Sequence, residues 1–226
     1  MFGAVVNSAT PTDIWSDGPM WTDVRVCFVG DSFVAGVGDP EHLGWVGRVA
    51  AHTHLGGLPL TAYNLGVRRE TTADVLDRAQ RECTARLPPD CAGGVVLSVG
   101  VNDTTLLGGR PRVAAPYSAA NLDMMLRHTR AAAWPTMVVG PPAVDDEHQN
   151  DRIAGLDALF ASVCLRRGVP YLSVLPDLRR HEDWRREVRA GDGSHPGSDG
   201  YRALAELVLP TWSAWLAGVG SATPWA

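Results

Sequence analysis

Short apolar runs of strand length recur along this chain and alternate with longer segments of helical pattern. Apolar runs without polar alternation are typical of strands that are covered on both faces, as in parallel sheets. The runs lie at 24–29, 60–64, 94–99, 136–139 and 169–174. The sequence therefore predicts an α/β fold, in which a parallel sheet of about five strands has helices packed on each side.

The segments between these runs predict the helices and the domain organisation. Helical patterns cover 44–52, 72–87, 119–134, 151–167 and 197–217. No internal repeat or composition break marks a second domain, and 226 residues suffice for one substantial core. We expect one domain at 24–217, with an N-terminal arm at 1–23 and a C-terminal tail at 218–226.

The charge pattern excludes several classes of protein. The formal net charge of −5 is mild and no basic run is present, so nucleic acid is not an expected partner. All 20 cationic residues are arginines, which excludes catalysis by a Schiff-base lysine or a P-loop lysine. The composition does not suggest a membrane span, and residues 1–23 lack the basic region and apolar core of a signal peptide. We expect a cytoplasmic protein without a membrane partner.

The four cysteines are expected to be free thiols. Cys27 lies in a predicted strand and Cys164 in a predicted helix, where small buried hydrophobic residues are typical. Cys83 and Cys91 are close enough in sequence to pair in an oxidising compartment, so a bridge between them stays open.

Four short segments carry the residues that acyl-ester hydrolysis requires. They are Gly-Asp-Ser at 30–32, Asn-Leu-Gly at 64–66, Gly-Val-Asn-Asp at 100–103 and Asp-Gly-Ser-His-Pro at 192–196. The first three follow predicted strand ends, and ligands bind beyond the carboxyl ends of parallel strands. A serine attacking a carbonyl needs a base, an acid that orients the base, and donors for the developing negative charge. The four segments therefore predict one shared catalytic site.

Each residue type fits one chemical role. Ser32 opens a helical turn, which places backbone N–H groups near its oxygen. Gly66 has no side chain to obstruct a carbonyl that approaches its amide, and Asn102 offers a neutral NH₂ donor. Asp192 and His195 are three residues apart in a glycine-rich loop, close enough for the carboxylate to orient the imidazole.

In order and spacing, the four segments resemble the SGNH subgroup of the GDSL esterase/lipase family. The resemblance implies that Ser32 is the nucleophile and that Asp192 and His195 complete the triad. It implies an oxyanion hole formed by the Ser32 and Gly66 amides with the Asn102 side chain. It also implies a flavodoxin-like three-layer α/β/α sandwich of about five parallel strands. Phe33 stands where the family name has Leu, which is an apolar-for-apolar change.

Charged residues near these segments have alternative interpretations. Asp31 is either a helix cap or a supporting residue, and Asp103 is expected to hold the Asn102 loop by hydrogen bonds instead of contacting substrate. Arg68 and Arg69 follow the oxyanion glycine and could attract an anionic substrate. Exposed arginines more often pair with nearby acids, here Glu70 or Asp74.

Two further polar clusters are not assigned to the site. The acidic segment 145–151 is typical of a solvated face and only sometimes contacts a substrate. His52 and His54 diverge at helical spacing and have no third ligand, so no metal site is expected there.

Together these patterns predict a serine esterase that acts on a small-molecule ester through an acyl-Ser32 intermediate, without metal or organic cofactor. No long apolar lid segment is visible, which favours short acyl or acetyl esters. An acyltransferase or a thioesterase would use the same triad, and a catalytically silent binding module would retain the same pocket. The motifs do not separate these alternatives, and they do not indicate an oligomeric state.

Overall fold

A computed structural model describes residues 23–221 of the chain. Residues 1–22 of the predicted arm and residues 222–226 of the predicted tail lie outside the described part. In chain order the elements are β1 (Val24–Gly30), α1 (Ser32–Ala35), α2 (Gly44–Leu55), β2 (Leu60–Gly66), α3 (Thr72–Thr84), β3 (Ala92–Ser98), α4 (Val101–Thr104), β4 (Leu106–Leu107), β5 (Arg110–Pro111), α5 (Ala115–Ala131), β6 (Thr136–Val139), α6 (Glu147–Arg167), β7 (Tyr171–Leu172), α7 (Leu175–Leu178), α8 (Glu182–Ala190) and α9 (Ser198–Ser221).

Five of these strands form one parallel sheet in the order β2-β1-β3-β6-β7. The two remaining strands, β4 and β5, form a short antiparallel hairpin between α4 and α5. Without the hairpin strands, the order is the 2-1-3-4-5 arrangement of flavodoxin-like folds. The predicted α/β fold with five parallel strands is confirmed.

Helices cover both faces of the sheet because alternate side chains of β1 point to opposite sides. Val26 and Phe28 pack with α2, α8 and α9 in one core, while Cys27 and Val29 pack with α3, α5 and α6 in the other. These two cores make the molecule a three-layer sandwich. No helix within residues 23–221 is both long and apolar enough to cross a membrane.

The last helix is longer than the sequence predicts, and the cysteines are unbridged. Helix α9 continues to Ser221, so it includes the first residues of the segment expected to be a tail. All four cysteines are free thiols, and Cys83 and Cys91 do not form a bridge.

The strand register brings three strand ends to one level at the centre of the sheet. Gly30 of β1 pairs with Gly66 of β2 on one side and with Ser98 of β3 on the other. The chain order reverses between β1 and β3, which is the position where open α/β sheets bind ligands. Ser32 follows β1 and Asn102 follows β3, so both predicted site residues lie at this point.

Candidate active site

Ser32 is the first residue of α1, directly after the central strand β1. Asp31 caps this helix, because its Oδ1 accepts the Phe33 N–H at 3.0 Å. The helix has only one turn and ends at Gly36, whose φ of 74° lies in the left-handed region. Ser32 is 4% exposed, so it is almost fully buried in the structure.

A continuous hydrogen-bonded chain joins Ser32, His195 and Asp192. The His195 Nε2 lies 2.8 Å from Ser32 Oγ, and its Nδ1 lies 2.7 Å from Asp192 Oδ2. The other Asp192 oxygen accepts the backbone N–H groups of Ser194 at 3.0 Å and His195 at 2.9 Å. One carboxylate therefore fixes both the loop and the imidazole that the loop carries.

The Asp192 carboxylate is ionised throughout the neutral range. Partial burial raises its pKa, but the backbone N–H and ring of His195 and the backbone N–H of Ser194 outweigh this effect and lower the pKa to about 2. A stable negative charge beside Nδ1 stabilises an imidazolium on the other side of the ring, where Ser32 lies.

Phe33 packs directly against the imidazole of His195. Its ring centroid lies 4.9 Å from that of His195, and its opposite side stacks on Trp184 at 6.3 Å. The Trp184 Nε1 donates to the Ala143 carbonyl at 3.0 Å, so this aromatic support is itself anchored. The residue that departs from the family name therefore contributes a flat surface that limits rotation of His195.

Gly66 is also required by the packing of β2 against α1. A Cβ at this position would lie 2.1 Å from the Ala35 nitrogen and 2.7 Å from the Asp31 carbonyl oxygen. The missing side chain therefore lets β2 approach α1, which is a second constraint beside the predicted approach of a substrate carbonyl to the Gly66 amide. In the resting structure the Gly66 N–H donates to Asn64 Oδ1 at 3.0 Å.

Asn102 extends its amide toward the same region from α4. Its Nδ2 donates to the Glu70 carbonyl oxygen at 3.0 Å and, more weakly, to Asp31 Oδ2 at 3.3 Å. Burial raises the pKa of Asp31 to about 7 against the opposing effect of the Phe33 N–H, and the charges of Asp103 and Glu70 act in the same direction as burial. Asp31 thus serves as a helix cap and also contacts the amide of Asn102.

Asp103 holds the loop that carries Asn102. Its side chain is fully buried and accepts the Thr72 N–H at 3.0 Å, the Thr72 hydroxyl at 2.5 Å and the Ser118 hydroxyl at 2.7 Å. Burial raises the pKa of Asp103, and these hydrogen bonds oppose the rise. The contacts tie α4 to the start of α3 and to α5, as expected for a residue that positions the loop.

Sequence reasoning missed Arg78, whose side chain binds the ends of β1 and β2 next to the site. Its Nη2 donates to the carbonyl oxygens of Gly30 at 3.0 Å and Leu65 at 2.9 Å, and its guanidinium pairs with Glu70 at 2.6 Å. The available signal was a cation on the apolar face of α3, next to the buried Ala79. Because its acceptors are backbone carbonyls distant in sequence, no local pattern indicates them.

The acids near Arg68 and Arg69 and those of the segment 145–151 all have partners within the structure. Among the acids expected to pair with Arg68 and Arg69, Glu70 pairs with Arg78 instead, and Asp74 accepts hydrogen bonds from Thr71. In the acidic segment 145–151, the ion pairs are Asp145 with Arg189, and Glu147 and Asp151 with Arg179. Within residues 23–221, no group of three His, Cys, Asp or Glu side chains is placed to hold a metal ion.

A three-layer α/β/α sandwich with a Ser-His-Asp hydrogen-bonded chain at its strand ends is the architecture of a class of serine-dependent hydrolases. The model of the GDSL-like Lipase/Acylhydrolase family matches residues 28–203, and the chain belongs to this family. Family membership makes the protein a carboxylic ester hydrolase. A comparison with curated protein sequences gives no match.

Solved structures with the same fold are similar over most of their length. A lipase/acylhydrolase from Enterococcus faecalis has 22% identity and a TM-score of 0.69, and the match covers 84% of this chain and 95% of that one. The acetylxylan esterase Axe2 from Geobacillus stearothermophilus has 15% identity and a TM-score of 0.67 over 84% and 94%. The psychrotrophic esterase EstA from Pseudoalteromonas sp. has 17% identity and a TM-score of 0.67 over 85% and 98%. At these identities the similarity establishes the fold.

Proposed function

We propose that the protein hydrolyses carboxylic esters with short acyl groups through a covalent acyl-Ser32 intermediate. The hydrogen-bonded chain from Ser32 Oγ through His195 to Asp192, with contacts of 2.8 and 2.7 Å, is the observation that carries this proposal. Both distances lie within the range in which a proton moves from a nucleophile to a base.

In the proposed mechanism, His195 Nε2 accepts the hydroxyl proton while Ser32 Oγ bonds to the ester carbonyl carbon. The resulting imidazolium, stabilised by ionised Asp192, then gives this proton to the alcohol oxygen as its bond to the carbonyl carbon breaks. Water repeats the sequence against acyl-Ser32: His195 accepts its proton, and Ser32 leaves with the proton returned. The acid product is released and the enzyme is regenerated.

The negative charge on the carbonyl oxygen would be received by the Ser32 and Gly66 amides and the Asn102 side chain. In the resting enzyme the Gly66 N–H donates to the Asn64 amide oxygen at 3.0 Å, and the Asn102 amide donates to the Glu70 carbonyl oxygen at 3.0 Å and to Asp31 Oδ2 at 3.3 Å. A developing oxyanion is a stronger acceptor than a neutral amide oxygen, so it can recruit these donors with little movement. Asp31 and Asp103 support this hole by contacting Asn102 and its loop.

The substrate class is narrowed by the sequence, which has no long apolar lid. One structurally similar protein is described as an acetylxylan esterase. Acetylated sugars and short acyl esters are therefore the first substrates to test. Thioesterase and acyltransferase activities would use the same acyl-Ser32 intermediate, and adding thioesters or acceptor alcohols to the assay distinguishes them from simple hydrolysis.

The decisive test compares Ser32→Ala with Ser162→Ala, which removes an exposed serine hydroxyl on α6. With 4-nitrophenyl esters of increasing chain length, Ser32→Ala should lose more than about a thousandfold in kcat, as in other triad deletions. Ser162→Ala should retain activity. A fluorophosphonate probe followed by mass spectrometry should label the wild type on Ser32 alone. Retained turnover in Ser32→Ala, or an unlabelled Ser32, would show a binding module or a different nucleophile.

A further inference from the structure

The segment 67–70 connects two parts of the proposed oxyanion hole. It begins directly after Gly66, and the Val67 N–H donates to the Gly30 carbonyl at 2.9 Å. It ends at Glu70, whose carbonyl oxygen accepts the Asn102 amide at 3.0 Å. Side chains between these anchors therefore lie at the rim of the site, on the side that receives the carbonyl oxygen.

Four exposed arginines occupy this rim, and we call them the arginine rim. They are Arg68, Arg69, Arg110 and Arg112. The last two belong to β5 and the residue that follows it, in the hairpin after α4. The Arg112 Nη1 donates to the Arg69 carbonyl oxygen at 2.8 Å, which joins the hairpin to the segment 67–70. Two separate loops thus contribute cations to one surface.

The positive charge of the arginine rim is not neutralised by ion pairs within residues 23–221. Of the acids nearest in sequence, Glu70 pairs with Arg78. Asp74 accepts two hydrogen bonds from Thr71, which lower its pKa, and the charge of Arg112 lowers it further without forming an ion pair. Asp103 is buried and bonded to Thr72 and Ser118. On the His195 side of the site, by contrast, Arg189 pairs with Asp145. The arginine rim therefore leaves an excess of positive charge on the oxyanion side of the site.

The mechanism determines which part of an ester faces this rim. His195 has to reach the alcohol oxygen to protonate it, so the alcohol lies toward His195. The oxyanion hole lies across the carbonyl from the base, and the segment 67–70 extends from that hole. The remaining substituent of the carbonyl carbon is the acyl chain, and an acyl chain that extends past the oxyanion hole along segment 67–70 would meet the arginine rim.

We propose that the arginine rim selects esters whose acyl group ends in an anion such as a carboxylate. This inference rests on the proposed esterase function and specifies its substrate class. Guanidinium groups bind carboxylates by paired, charge-assisted hydrogen bonds, and cations on two loops can approach one anion from two directions.

The test uses two esters that differ in one charge. The 4-nitrophenyl monoester of adipic acid carries a free carboxylate on its acyl group, too far along the chain to close a five-membered anhydride on its own ester, and its methyl-capped analogue is neutral. The wild type should show a higher kcat/KM for the anionic ester. In the double variant Arg68→Gln/Arg69→Gln this preference should fall by about twofold to 25-fold, mainly through KM, as expected for the loss of two exposed charge contacts. Arg112 is kept, since its side chain also holds the segment.

Two controls separate this effect from general damage. Arg130→Gln removes an exposed arginine near the end of α5, beyond the site, and should leave the preference unchanged. Raising the salt concentration from 0.1 M to about 1 M should reduce the wild-type preference, because the screening length falls from about 10 Å to about 3 Å.

The outcomes distinguish this inference from the proposed function. If the wild type hydrolyses both esters equally, or if the double variant keeps the full preference, the arginine rim does not select the acyl anion while the esterase function stands. A preference that survives high salt would also overturn the inference. If neither these esters nor the short acyl esters are hydrolysed, the proposed function fails, and the inference fails with it.

Discussion

At the scale of single residues, the candidate site depends on donors that are already engaged before substrate arrives. Asn102 donates to Glu70 and Asp31, and the Gly66 N–H donates to Asn64. Such contacts orient the donors in advance, so that stabilising the transition state requires little reorganisation. The contacts to the amide oxygens of Asn64 and the Glu70 backbone are also limited in strength, because a developing oxyanion is a stronger acceptor than a neutral amide oxygen.

Replacement of Asn102 tests this interpretation. Asn102→Ala should lower kcat by about 10²–10³-fold with little change in KM, because the donor acts mainly in the transition state. Gln80→Ala is the matched control, since it removes an exposed side-chain amide on α3 that has no contact with the Asn102 loop. Steady-state kinetics of both variants provide the measurement. A higher KM with unchanged kcat in Asn102→Ala would identify a ground-state binding residue instead.

The sequence predicted most of the residues that the structure brings together. Ser32, His195 and Asp192 form the expected contacts, while their catalytic roles stay predictions until they are tested. Sequence reasoning explained Gly66 only in part, because the packing of α1 against β2 adds a constraint that the sequence does not show, while its predicted oxyanion role stays a prediction. It missed Arg78 entirely, because the acceptors of Arg78 are backbone carbonyls that only the folded sheet brings within reach.

At the scale of elements, long apolar patterns were more informative than short charged ones. The strands β1, β3 and β6 and the longer helices were predicted because each buries a clear apolar set, while β2 and β7 were predicted from their apolar residues although they are only partly buried. Helix α8 was missed, since only Trp184 and Val188 anchor it and its other residues are polar or small. The β4–β5 hairpin was also missed, because its strands have two residues each and are exposed on both sides.

The contact between β2 and α1 predicts opposite effects for two glycine substitutions. Gly66→Ala should lower the free energy of unfolding by about 1–3 kcal/mol, because its Cβ would collide with the backbone of Ala35. It should also lower kcat, since any relief of the collision moves the Gly66 amide away from Ser32.

Gly155→Ala is the control for this element. Gly155 lies within α6, where a Cβ meets nothing within 4 Å, so alanine should raise the unfolding free energy by about 0.4–1 kcal/mol. Urea denaturation of both variants measures the difference. Wild-type stability in Gly66→Ala would mean that β2 and α1 adjust without cost.

At the scale of the whole molecule, two buried carboxylates of the loop after β1 should contribute to stability with opposite dependence on pH. Asp39 joins distant helices, because it accepts hydrogen bonds from Arg48 of α2 and Ser198 of α9. Burial acts to raise the pKa of Asp39, but Arg48, Ser198 and nearby backbone N–H groups outweigh it and hold the pKa well below its usual range. The pKa of Asp31, in contrast, is raised to about 7.

The two asparagine substitutions test this contrast. The depressed pKa of Asp39 means that its stabilising effect is complete above the unfolded-state value of about 3.9 and is lost as the pH falls further. Asp39→Asn should therefore destabilise the protein more at pH 7 than at pH 3. The raised pKa of Asp31 means that its ionisation cost grows as the pH rises from about 3.9 to about 7. Asp31→Asn should therefore become more stable relative to the wild type over that interval.

Urea denaturation of the three proteins at pH 3, 5 and 7 provides the measurement. If the unfolding free energies of Asp31→Asn and Asp39→Asn, each relative to the wild type, changed with pH in the same direction, the assigned environments of Asp31 and Asp39 would be contradicted. If Asp31→Asn were more stable than the wild type and had a lower kcat, the Asp31 carboxylate that caps α1 would be retained for function at the expense of stability.

The hydrogen bond between Ser32 and His195 spans 163 residues of sequence. During synthesis at about 5–20 residues per second, the ribosome adds His195 about 8–33 s after Ser32. Throughout that interval the growing polypeptide carries the proposed nucleophile without its proposed base. Under the proposed mechanism, ester hydrolysis therefore begins only late in translation, when almost the entire domain has been made.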